Sequence, residues 1–216
     1  MRLSQPEPPA SPPTVVRNPG LADELWLEVR PFLAEEGVHE GDTVPMEQLQ
    51  QAMDRAVQRR NMALHTPEGK AREAALTVLA RTVTDLHDGN DERALASLDA
   101  VESKPADPEA ASVAGCIGVA VALLDQWLGG RDSPAPPQLA ARARLPRGHW
   151  TGEQAGQDLL GLATKARAHS ALMKVIARQG GQHVLYGSAL ALAGTLTAWA
   201  DLAGEDFADV LDAALR

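Results

Sequence analysis

Residues 184–200 read VLYGSALALAGTLTAWA, a run without a single charged side chain. A second uncharged run, residues 110–124, reads AASVAGCIGVAVALL. A helix that is apolar on every side belongs either in a bilayer or at the centre of a helical core. Both runs fall short of the ~20 residues needed to cross a hydrocarbon layer. The 184–200 run is rich in Gly, Ala, Ser and Thr, and Asp125 and Asp201 close the two runs. No flanking pattern of Lys or Arg sets an orientation. The two runs are therefore expected to be central core helices, with no membrane association.

They also resemble each other. Gly115 and Trp127 share the spacing of Gly187 and Trp199, with Leu124 matching Leu196. Each run follows a helical stretch, residues 75–81 and 171–178, so a duplicated helical hairpin is one reading of the chain. Small residues recur every four positions on both runs: Ala114, Gly118 and Ala122, then Gly187, Ala191 and Thr195. Such strips let backbones approach closely, and the two helices are expected to touch along them.

The rest of the chain reads as amphipathic helices around this pair. Aromatic residues make up 3% of the 216, and β-branched runs are scarce, which argues against an all-β fold. Asn18-Pro19 opens a helix carried by Leu21, Leu25, Val29, Phe32 and Leu33, with Pro31 expected to kink or split it. A second helix is expected from Pro45 to Met62. Arg55, Arg59 and Arg60 crowd its end, where cations suit the macrodipole. Further helices are expected over about 67–87, 91–101 and 108–128. A short helix near 138–143 lies within a Gly- and Pro-rich connector. Thr151 and Gln154 form a capping box for a long helix to Arg178, ended by Gly180-Gly181, and a final helix spans 205–215.

The expected fold is all-α, a multi-helix bundle of about eight helices. Residues 1–18, rich in proline, are expected to be a disordered tail. Residues 19–216 are expected to form one helical domain, with halves 19–128 and 151–216 joined by the connector 129–150.

Several chemistries are disfavoured. One cysteine, Cys116, permits no internal disulfide and no Cys-rich zinc site. The six histidines (His39, His65, His87, His149, His169 and His183) include no pair at the spacing of a helical metal site. No phosphate-loop, calcium-loop or serine-elbow pattern occurs. No metal and no cofactor is expected. The start of the chain has no apolar signal segment, so a cytoplasmic location is the expectation. Sixteen arginines against four lysines suggest a GC-rich bacterial genome.

Charge is unevenly distributed. The net charge is −9, yet residues 134–178 carry seven basic and two acidic side chains. At the heart of this island, residues 141–150 read ARARLPRGHW. Arg142, Arg144 and Arg147 suit phosphate or carboxylate, because a guanidinium makes paired hydrogen bonds to either. His149 and Trp150 complete the candidate anion- or partner-binding set. The plainer reading pairs these arginines internally with the acidic stretch 85–109 (Asp85, Asp88, Asp91, Glu92, Asp99 and Glu102).

Three functions follow. The first is a non-enzymatic interaction or regulatory protein that binds another protein or itself. The second is a module binding a nucleotide, a nucleic acid or another polyanion through 142–150; the acidic total disfavours nucleic acid. The third is an enzyme with an inter-helical pocket near His149, His169, His183 and Tyr186. The leaning is away from an enzyme.

Overall fold

The computed structural model describes residues 12–130, 133–148 and 151–215. It is 68% helical, with ten helices and one two-stranded sheet among the described residues. The chain divides into two compact units, Met1–Asn61 and Met62–Arg216.

In the first unit, β1 (Pro13–Val15) pairs antiparallel with β2 (Thr43–Pro45), Thr14 opposite Val44. This sheet was not legible in the sequence. It corrects the expectation of a disordered tail to residue 18, since Val16, just beyond β1, is fully buried. Residues 1–11 lie outside the described residues. Helix α1 (Asp23–Glu35) starts later than expected. Asn18 does not cap it; its Oδ1 accepts the Gly20 and Leu21 N–H groups at 3.1 and 2.8 Å, a turn that precedes the helix. Pro31 does not split α1. The core joins Val16, Trp26, Val29, Leu33 and Val38 to Ala52 and Ala56 of α2 (Met46–His65). Because α2 runs on to His65, Arg55, Arg59 and Arg60 lie away from its last turn. They pair instead with the glutamates of α1 and its end: Arg55 with Glu36, Arg59 with Glu35 at 2.8 Å, and Arg60 with Glu28.

The second unit contains α3 (Gly69–His87), α4 (Asp91–Asp99), α5 (Val113–Gly129), α6 (Leu139–Arg142), α7 (Glu153–Ala163), α8 (Ala168–Gln179), α9 (Gly181–Ala203) and α10 (Phe207–Leu215). Every residue of α9 from Val184 to Leu196 is buried, and α9 packs against all seven of the others. The two fully buried hydroxyls of its middle are satisfied within the helix: Ser188 donates to Leu185 O at 2.8 Å and Thr195 to Ala191 O at 2.7 Å. The two uncharged helices, α5 and α9, do pack together. Trp127 and Trp199 meet edge to face at 5.7 Å.

The glycines of these helices serve other neighbours. A Cβ on Gly118 would stand 1.9 Å from His65 O, one on Gly187 would stand 2.5 Å from Gly156 N of α7, and one on Gly194 would stand 1.7 Å from Arg144 O. Each marks a place where a third segment's backbone touches a core helix. The expected glycine-mediated seam between α5 and α9 is corrected accordingly. The two halves also differ in their approach to the core: α4 stands between α3 and α5, whereas α8 and α9 share the single residue Gly180.

The long helix expected from 151 to 178 is broken into α7 and α8. Its capping box does not form. Gly152, at φ +82°, is the N-cap, and Gln154 bonds Asp158 at 3.2 Å. The break comes from α5. Asp125 accepts the Ala168 and His169 N–H groups, both at 2.9 Å, and so caps α8 from another helix. One turn on, Gly129 has no Cβ, and one there would stand 2.4 Å from Ala166 N. Ala166 itself adopts φ +50°, the only positive φ among described non-glycine residues. No described helix is long and apolar enough to cross a membrane.

Candidate functional site

The basic island forms a strap across α9. Helix α6 ends at Arg142, and Ala143 turns the chain into an extended conformation. In extended backbone, successive side chains point to opposite sides. Here Ala143 is buried, Arg144 exposed and Leu145 half-buried; Leu139 and Arg142 take the buried and the exposed side of α6, and Arg147 is exposed beyond Pro146. Leu145 lies against Gly156 of α7, and the Arg144 backbone rests on Gly194 of α9. The sequence alternates small or apolar residues with arginine, so the strap holds its apolar side to the core and its guanidiniums to solvent.

The expected internal pairing is not formed. Among the described residues, none of Arg142, Arg144 and Arg147 makes an ion pair with a carboxylate of the 85–109 stretch or any other. Arg144 Nη1 donates to Ala143 O at 2.6 Å, a contact with its own backbone. Elsewhere Arg178 holds Asp158, and Arg30 holds Glu40 at 3.1 Å. His149 and Trp150, the other two members of the candidate set, lie outside the described residues.

A cleft opens on each side of the strap. One, of about 580 Å³, is lined by Arg144, Arg147, Glu153, Gln157, Leu160 and Thr164 among others. The other, of about 400 Å³, is lined by Arg142, Arg144, Arg147, His87, Thr197 and Asp201, with small residues Ala193, Gly194 and Ala198 of α9 as its wall. Spacing along α9 explains the second set. Residues 193, 194, 197, 198 and 201 recur at three and four and share one helix face. His87 enters from the end of α3. Its ring stacks on Phe207 of α10 at 3.8 Å and its Nδ1 lies 3.2 Å from Thr197 Oγ1. In the sequence, His87 read only as part of a helix stop, and nothing local signalled its role. Its partners are more than a hundred residues away.

The pocket candidates do not converge. His169 is buried beneath the α5–α8 junction, its Nδ1 3.8 Å from Asp125 Oδ2, too far for a hydrogen bond, and neither ring nitrogen has a partner. Burial, reinforced by His65, lowers its pKa from 6.5 to about 4. Tyr186 donates its hydroxyl to Asp99; burial first, then that bond, pushes its ionisation up. His183, three residues away, is exposed. Neither these three nor Cys116 lines either cleft beside the strap. Cys116 is buried in α5, and desolvation pushes its thiol up to about 11. No group of three or more His, Cys, Asp or Glu among the described residues could hold a metal ion.

No protein-family model, curated protein or solved structure matches this chain.

Proposed function

We propose that the chain works by binding rather than by turnover, and that the strap Arg142–Arg147 is where it takes an anionic partner. One observation carries the reading: three exposed guanidiniums within six residues, without a carboxylate partner among the described residues, on a backbone fixed against Gly194. A guanidinium gains most when it forks onto an oxyanion, and a fixed backbone lowers the ordering entropy lost on binding. The side chains with displaced ionisation, His169, Tyr186 and Cys116, lie away from the two clefts, which supports binding over proton-transfer chemistry.

The net charge of −9 confines the attraction to this island, and salt screens it beyond ~10 Å at 0.1 M. The test is retention on immobilised heparin at low salt. The parent protein is expected to be held and released by added salt, and the Arg144→Glu/Arg147→Glu variant to flow through. A parent that flows through refutes the reading.

A further inference from the structure

Resting on that reading, we propose that the cleft between the strap and α9 is a site for a small phosphate monoester bearing a hydroxyl or amine donor. All three strap arginines line this one cleft of about 400 Å³, a volume within the range of small-molecule sites. Against three guanidiniums stands one carboxylate, Asp201. The opposite cleft offers two arginines against Glu153. An anion is therefore drawn to the α9 side.

The number of donors selects the anion. One guanidinium fork fills the two oxygens of a carboxylate. Three guanidiniums call for more acceptor atoms and more charge, and a phosphoryl group supplies three terminal oxygens and up to two negative charges. The Thr197 hydroxyl adds a further polar group to the same lining, beside a His87 ring held by Phe207 and Thr197 itself. The strap meets α9 at Gly194, and beside that contact Ala193 and Ala198 line the cleft with small side chains that leave it open.

Asp201 gives the ligand a direction. It lies one turn beyond Thr197 on the same face of α9 and repels the phosphoryl end. Its carboxylate accepts a hydrogen bond from a hydroxyl or ammonium group at the other end of the ligand. The chemistry assigned is thus bipolar, a dianion held at the strap and a donor held at Asp201.

The test is calorimetric titration of the full chain with inorganic phosphate and with phosphoethanolamine, which adds an amine. Both are expected to bind, phosphoethanolamine more tightly. Arg142→Gln should weaken both by about tenfold or more, the loss of one charge-assisted contact. Asp201→Asn should strengthen inorganic phosphate and erase the preference for the amine. Helicity and melting of each unliganded variant confirm that it folds. Absence of phosphate binding by the parent overturns the inference, as does binding that Arg142→Gln and Asp201→Asn leave unchanged. Heparin retention without phosphate binding sinks the small-ligand site and leaves the strap's anion binding standing; loss of both sinks both.

Discussion

Replacing His169 by Phe should flatten the acid sensitivity of the second unit. In the fold the His169 ring is neutral, both its nitrogens lack partners, and burial holds its pKa at about 4. In the unfolded chain it titrates at its ordinary 6.5. Between those values the unfolded chain binds a proton that the fold refuses. The stability this group confers is therefore complete above pH 6.5 and is lost as pH falls towards 4. At ~1.4 kcal/mol per tenfold change in proton affinity, the full loss is about 3 kcal/mol, and roughly 2.5 kcal/mol of it is spent by about pH 4.5. Urea unfolding of parent and His169→Phe, at about pH 7.5 and pH 4.5, isolates this contribution, because every other titrating group is common to both. The parent should lose roughly 2.5 kcal/mol more than the variant over that interval. Proton NMR of the parent should show one imidazole titrating near 4. Equal losses in the two proteins, or every ring titrating near 6.5, would refute the account.

Other perturbations follow from the same contacts. Asp125→Ala removes the acceptor of two buried N–H groups at the start of α8 and should cost about 3 kcal/mol, read as a lower urea midpoint at unchanged slope. Ala166→Gly should raise the melting temperature, since relief of about 1–2 kcal/mol of left-handed backbone strain outweighs glycine's entropic cost of about 0.5–1 kcal/mol. Gly194→Leu places a side chain where Arg144 O sits; it should lift the strap, cost about 3 kcal/mol or more, and abolish heparin retention while helicity persists.

The central helices were legible because absence of charge over seventeen residues is a strong signal for burial on all sides. The basic island was legible because side-chain charge is read directly from the residues, whereas its course across α9 was not, since Gly194 and Gly156, which receive it, lie in other helices. The break between α7 and α8 was not, since Leu162, Ala166 and Met173 continue an apolar stripe straight through it. The cause lies in α5, where Asp125 and Gly129 seat a corner that local propensity does not specify. The three-residue strands are too short to show a period, and their pairing is set by distant partners. The lining of the strap cleft was hidden for a related reason: His87, Thr197 and Asp201 come from two helices separated by a hundred residues, and only the packing of α3, α6 and α10 on α9 joins them to the strap.

The place of α9 in the chain has a consequence for biosynthesis. Helices α3 to α8 all pack against it, yet all leave the ribosome first. They also pack on one another, α5 included, but each keeps a face for α9, so the second unit completes its core only after Ala200 emerges. Contacts of such long sequence separation form slowly, and the waiting helices are exposed to misassociation meanwhile. The apolar faces kept for α9 are thereby left uncovered from the synthesis of α3 until α9 is made.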